Sequence, residues 1–399
     1  MKPVFGFWKT FVSALKGALL SRDTLAIFAG AVAFYLIFYA WPYGNQQIEH
    51  IPAAVCDLDR SDSSRRLILE IGASPAVDVM MTTGSEGEAL DALRTEKVPV
   101  LITIPKDYEK TLARGGNTTV HVTGNGAFPV KIRAVQSAVA GVVQDKSRLL
   151  DSRAVFATGL PGTSAAGSYA APPSLRVQYR YNEIGGYGNY TVPVVGPIIL
   201  QAIMLMGVTI ALGGWLCSPR RPDFLPGALL YPGRLGSAVF LAFWMMAFMW
   251  FVYMQAVDFR FHEYGSMANP AAVLLTGLLF SASVTAFAMT ISLLLGSNRW
   301  SSQAIVMTSA PAVFLSGGIW PLESVTHPAV YAFSQLFPTT PAIRALLAAS
   351  QDGAATGDLL MPLGVLLAQT AGYLCLSAWL AGRRLTPEPV KRFSENDVI

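Results

Sequence analysis

Histidine, cysteine and serine are the side chains best suited to acid–base, metal or nucleophilic chemistry, and in this chain of 399 residues their spacing supports little of it. The four histidines are His50, His121, His262 and His327, and none has the i, i+4 partner that a zinc-binding helix needs. Cys56, Cys217 and Cys375 lie far apart and form no CxxC pair, so neither a disulfide framework nor a metal site is expected. No Gly-x-Ser-x-Gly elbow is present, and no Gly-Lys pair occurs anywhere, which excludes a phosphate-binding P-loop. Spacing leaves open a Ser/His/Asp constellation assembled from distant segments. Otherwise the chain is expected not to be an enzyme and to hold no cofactor of its own. What remains is hydrogen-bonding chemistry in an apolar medium. Gln201, Gln303 and Gln369 are the notable polar side chains within long apolar runs. Their ordinary role is to bond helix to helix; the other is to touch a substrate, and Gln201 and Gln303 are the pathway candidates. No Asp, Glu, Lys or Arg sits near the centre of such a run, which argues against proton- or ion-coupled transport.

The stretch that organises the rest is 314–349. An apolar run stops at Ser316-Gly317-Gly318 and Trp320-Pro321, and a polar bend follows. Residues 328–337 are apolar again, but for only ten residues, about half a bilayer crossing. Pro338 and Pro341 are expected to break that run before a small-residue helix, 342–349, that carries Arg344. Too short to span and interrupted by prolines, the segment reads as a hairpin re-entering the membrane at about 321–350. Ser316, Gly317, Gly318, Pro321, Pro328 and Pro338 are its gate candidates. A plain loop lying on the headgroups is the alternative. Non-helical backbone survives at membrane depth only where protein or water satisfies it.

Composition places both readings in a membrane, since 52% of residues are apolar and 14% charged. Long apolar runs at 24–41, 192–216, 235–257, 270–295 and 359–381, with 303–319 at the short limit, give six expected transmembrane helices. Before them, 1–22 puts Phe5, Trp8, Val12, Leu15 and Leu19 on one helical stripe edged by Lys2, Lys9 and Lys16. That is the pattern of an amphipathic helix on the inner membrane surface, touching anionic lipids. Basic residues cluster on one set of loops (Lys2, Lys9, Lys16, Arg22, Arg220, Arg221, Arg234, Arg299 and the tail 383–399), while the short opposite loops hold only Arg260 and Arg344. Both termini are therefore expected in the cytoplasm. The net charge of +4 needs no nucleic acid to explain it.

The segment 43–190 is soluble in character and is expected outside. Strand-like runs at 53–57, 77–81, 98–104 and 119–123 alternate with helical runs at 86–96 and 106–114 and one starting near Arg65, which predicts an inserted α/β domain. A turn at 115–117 precedes the last of these strands. A long helix is expected over 129–157, then a linker at 160–173 and a further strand at 176–181.

One span, a large outer domain and five spans with a broken hairpin before the last resemble the permease subunits of type-2 bacterial ATP-binding-cassette exporters. Val55-Cys56-Asp57-Leu58-Asp59-Arg60-Ser61 with Ser64-Arg65 is similar to the strand and D-x-D-x-S-x-x-S-R turn that opens that family's outer domain. Ile104-Pro105, Tyr108, Leu112 and Gly115 resemble its IP-x-x-F/Y … L-x-x-G segment. Tyr179-Arg180-Tyr181-Asn182 and Val192-Pro193 resemble its approach to the second span. The stretch from Leu315 to Pro328 looks like its LSG-x-x-P-x-x-x-x-P hairpin, continued by Phe337-Pro338 and Ile343-Arg344.

The resemblance implies a bacterial inner-membrane protein exporting a hydrophobic or amphipathic substrate, drug or lipid-like. It also implies a homodimer or heterodimer with a second permease, an ATPase subunit that binds ATP and Mg in a separate chain, and an exit path that can meet a periplasmic adaptor. Two departures stand out. Where the family has an E-R-E-x-G-T run before its coupling helix, this chain has Ser218-Pro219-Arg220-Arg221-Pro222-Asp223-Phe224-Leu225-Pro226, leaving room for a helix only over 224–230. Asn182 is followed by Glu183 rather than Pro. Lys9, Lys16, Arg220, Arg221, Asp223 and Phe224 are the residues expected to meet the ATPase. The alternative function is a membrane-anchored receptor or scaffold that senses a ligand through its outer domain; four spans beyond a simple anchor count against it.

Overall fold

The computed structural model describes residues 6–31, 34, 48–95, 97–114, 118–124, 129–158, 187–218, 222–255, 269–318, 322, 325, 327–350 and 354–385. The first span beyond Phe34, the turn at 115–117, the linker at 160–173, the strand expected at 176–181, and Arg220, Arg221 and Pro321 lie outside the described residues. The chain divides into two compact units, Asn45–Tyr179 and the remainder, Met1–Gly44 with Arg180–Ile399. The larger unit opens with α1 (Phe7–Leu19) and α2 (Arg22–Leu25), which runs on as a π-helix over Ala26–Ala31.

The smaller unit is α/β. Its order is β1 (Ile51–Asp57), α3 (Asp62–Gly72), β2 (Val77–Thr83), α4 (Glu86–Arg94), β3 (Val100–Ile104), α5 (Tyr108–Ala113), β4 (His121–Gly124) and α6 (Pro129–Thr158). The sheet runs β2-β1-β3-β4, with β1 parallel to both β2 and β3, and β4 antiparallel to β3. Parallel neighbours require crossover connections, and α3 and α4 supply them. Central β1 is buried on both faces. Leu67 and Ile71 of α3 and Val135 and Val139 of α6 cover Val55 and Ile102, while Ala89 and Ala92 of α4 cover Cys56 and Leu101. Burial pushes the Cys56 thiol up, and Glu86 and Asp57 push the same way; this cysteine is a core residue kept as the neutral thiol.

The turn after β1 is held by Asp57, which is 5% exposed. One carboxylate oxygen accepts the backbone N–H of Asp59 (3.1 Å) and Arg60 (2.9 Å), and the other accepts the Ser64 hydroxyl (2.7 Å). Ser61 caps α3 by accepting the Ser64 N–H, and Asp59 accepts the N–H of Glu109 at the start of α5. Every polar residue of the Asp-x-Asp-x-Ser-x-x-Ser motif is therefore a fastener. Asp57→Ala would strand two backbone donors and a hydroxyl, and the expected loss is about 3 kcal/mol. Limited proteolysis of the full chain should then cut within Asn45–Tyr179 at far lower protease levels than in wild type, whereas Asp62→Ala, which breaks only an exposed ion pair with Arg65, should match wild type.

The larger unit continues with α7 (Tyr187–Cys217), α8 (Leu225–Leu230), α9 (Ser237–Tyr253), α10 (Pro270–Leu295), α11 (Ser301–Phe314), α12 (Pro328–Ser334), α13 (Thr339–Ser350) and α14 (Leu360–Leu385). Among the described residues, four segments are long and apolar enough to cross a membrane: Thr191–Cys217, Pro232–Tyr253, Pro270–Leu295 and Thr356–Arg383. The expected fifth span is shorter than its apolar run. Helix α11 has 14 residues, about 21 Å of rise, because Pro311 removes a backbone donor near its end and the chain turns at Ser316-Gly317-Gly318. Span two instead begins earlier than its hydropathy, at Tyr187, and carries Pro193 and Pro197 inside the helix. Helix α10 is central, packing against α7, α9, α13 and α14.

Helix α1 fully buries small residues rather than its large apolar stripe, of which Leu15 packs partly against the bundle core. Thr10, Ala14 and Ala18 pack inward against α9, with Gly17 close to the Trp215 ring. Trp8 is 70% exposed, and Val12 and Leu19 also face out. Small residues let backbones approach, so the rest of the bulky stripe is left for the medium around the bundle.

Candidate functional site

The candidate site is the broken segment between α11 and α14. Ser316, 1% exposed, ends α11 by donating its hydroxyl to the Val313 carbonyl (2.9 Å) and accepting the Gly318 N–H (3.2 Å). Gly317 has φ +84°, a left-handed conformation that costs glycine nothing. Gly318 meets α7 so closely that a Cβ would lie 2.1 Å from Val194 Cγ1. Thr340 of α13 donates to the Leu315 carbonyl (3.2 Å), closing the bend from the other side.

Pro328 opens α12, where a missing N–H is harmless. Pro338 separates α12 from α13 as expected, but Pro341 does not break the chain. It lies in the first turn of α13, where backbone donors have no intrahelical partner anyway, so the helix runs through it.

The turn between α12 and α13 exposes carbonyls that no helix satisfies, and α14 satisfies them. Gln369 donates its amide to the Gln335 carbonyl (2.6 Å), and Tyr373, one turn on, donates to the Leu336 carbonyl. The same Gln369 accepts the hydroxyl of Ser283 on α10 (2.9 Å), and Thr290 of α10 bonds the Tyr373 carbonyl. Ser283 stands halfway along α10 and Gln369 halfway along Thr356–Arg383. Phe287 packs its ring against both Phe337 and Tyr373. The turn is thus fastened to the middle of two long apolar helices.

The other candidates are scattered. Gln201 is 2% exposed, and its Oε1 has no hydrogen-bond partner among the described residues. Its i+7 spacing from Val194 sets it on the α7 face whose Val194 and Ile198 pack on Ile343, one to two turns beyond the bend. Gln303 is exposed on α11, far along the helix from the bend. Lys9 and Lys16 are exposed on α1, and Asp223 is exposed before α8. Phe224 turns inward, 4% exposed, edge-on to Trp215 at 5.2 Å. Sequence reading singled out neither Tyr373 nor Ser283; the available signal was the i, i+4 pairing of Gln369 with Tyr373 inside an apolar run.

A family model described as "ABC-2 family transporter protein" matches residues 22–379. The chain belongs to that family. Comparison with the curated proteins finds no match. Family membership supports a membrane-spanning permease role for this ABC-2 chain and implies an ATPase partner. It also agrees with the four apolar helices, whose length and composition suit a bilayer.

Proposed function

We propose that this ABC-2 chain is the permease subunit of a bacterial inner-membrane exporter for a hydrophobic or amphipathic substrate, working as a dimer with separate ATPase subunits. The 321–350 segment acts as a re-entrant hairpin that closes the outer end of the pathway. The observation that carries this reading is the clamp of Gln369 and Tyr373 on the Gln335 and Leu336 carbonyls. Turn carbonyls at the middle of spanning helices have no water to bond, and a loop resting on headgroups would not need such partners. The buried, unpartnered Gln201 Oε1 offers an acceptor to a substrate beneath the hairpin. Lys9, Lys16 and Asp223, with Arg220 and Arg221, are the surface that meets the ATPase, while Phe224 anchors α8 to the bundle. The α/β unit lies on the outer side of the membrane, where it can meet an adaptor.

Sidedness tests the reading directly. Ser85 and Asp223 are both exposed, so in a cysteine-free background the reactivity of a cysteine at either depends only on its side. Ser85→Cys is expected to react with an impermeant thiol reagent in intact cells and Asp223→Cys only after lysis. The reverse pattern would remove the exporter assignment. Co-purification of the ATPase subunit with the full chain is the companion measurement, and its absence would favour the receptor reading.

A further inference from the structure

We propose that a second site, distinct from the hairpin, holds one acyl chain of an anionic phospholipid beneath α8. A cavity of about 320 Å³ lies between α8, the start of α9, and the far ends of α10 and α14. Leu225, Leu229, Val239, Met289, Leu293 and Ala381 line it. Two hydroxyls reach its wall, and both are already spent: Ser237 donates to the Arg234 carbonyl and Ser377 to the Leu374 carbonyl, each at 2.9 Å. Sites that orient polar ligands keep a few convergent polar groups. This one offers only the weakly polar Cys375 thiol at its mouth, so its occupant is hydrocarbon.

The mouth identifies the rest of the molecule. On one side it is bounded by Cys375 and Ala378 of α14, next to the exposed Leu376 and Trp379. That helix is the least buried of the four long apolar segments, so the opening faces the lipid. On the other side Gly233 lines the rim, and Arg234 beside it is exposed, with no partner for its guanidinium among the described residues. An apolar slot opening sideways beside a cation suits a chain whose headgroup is anionic. The cavity does not involve α11, α12 or α13, so this inference goes beyond the transport reading and stands without it. Its occupant would fill the space under α8 and set how firmly that helix sits on the bundle.

The test uses the purified full chain in nanodiscs carrying a trace of phosphatidylglycerol with a photoreactive acyl chain, beside an equal preparation with photoreactive phosphatidylcholine. Crosslinks are expected in peptides covering 225–240 and 374–381, at least fivefold above those on the exposed Leu360 and Leu367 of the same helix. Ala378→Phe, which fills the slot, should cut the cavity crosslinks at least fivefold and leave Leu360 and Leu367 unchanged. Arg234→Gln, a surface change that does not threaten folding, should abolish the preference for phosphatidylglycerol. Cavity labelling equal to that of Leu360 and Leu367 would mean annular lipid only. Equal labelling by the two lipids in wild type would remove the anionic headgroup. Wild-type labelling of the filled variant would place the chain elsewhere. Any of the three overturns the proposal.

Discussion

Gly318→Val is expected to abolish export while leaving the ATPase subunit bound and the α/β unit folded. A Cβ at Gly318 would lie 2.1 Å from Val194 Cγ1 and 3.2 Å from both its Cβ and Cγ2. Val194 has nowhere to move, since it is 2% exposed and packed with Ile198 and Ile343. Overpacking of this kind costs about 1–3 kcal/mol, and a branched side chain adds more contacts than the first atom alone. Gly317 next to it is limited mainly by backbone, since a Cβ there would lie 3.2 Å from Leu322 Cγ and Cδ1, a milder contact that a small shift of that side chain relieves. At φ +84° valine carries a strain of about 1–3 kcal/mol, whereas asparagine enters the left-handed region with little penalty. The three variants therefore separate the two causes. Valine at 318 should remove efflux, valine at 317 should reduce it about tenfold, and Gly317→Asn should stay near wild type. Efflux of a transported dye from cells, measured beside a pull-down of the ATPase, reads all three. Normal efflux with valine at 318 would make the hairpin a mere connector.

Local pattern made much of this chain legible. Alternating runs with capping residues gave the α/β unit, and Pro129 correctly opened its long helix, because those elements are decided by residues near in sequence. The bend was visible as Ser316-Gly317-Gly318 for the same reason. What pattern could not give was partners. In α1 the stripe of Trp8, Val12 and Leu19 suits a membrane surface and stays exposed, but the pattern does not mark Thr10, Ala14 and Ala18 as the residues that pack inside. Between lipid and protein there is little hydrophobic difference, so close approach rather than apolarity selects the packed face. Pro341 misled because a proline is disruptive only where its N–H was needed, and the first turn of α13 needs none. The value of Gln369 depends on Ser283 and on the Gln335 carbonyl, residues 86 and 34 positions away. No window along the chain contains them together.

Gln369 is where the second large effect is expected. Gln369→Leu keeps the length of the side chain roughly intact and removes both of its hydrogen bonds. The Gln335 carbonyl and the Ser283 hydroxyl are then left in a low-dielectric interior, at about 1–3 kcal/mol each. Tyr373 still holds the neighbouring Leu336 carbonyl, so the single variant should lower efflux about tenfold without releasing the hairpin. Removing that bond as well, in Gln369→Leu with Tyr373→Phe, should abolish efflux, and the two losses should not add, because both side chains fasten one turn. Two controls distinguish the clamp from general damage to α14. Ser283→Ala should lower efflux far less than Gln369→Leu, since Gln369 loses one donor to its Oε1 but keeps its bond to the turn. Gln369→Met, which keeps an unbranched side chain of similar length without the amide, should lose as much activity as the leucine. A thiol placed at Leu336, which is 52% exposed, gives an independent readout, and its labelling rate by a lipid-soluble maleimide should rise in Gln369→Leu and rise further in the double variant. If Gln369→Leu exports at the wild-type rate, or if the methionine variant does, the turn is not held by this side chain and the hairpin must be closed by packing alone.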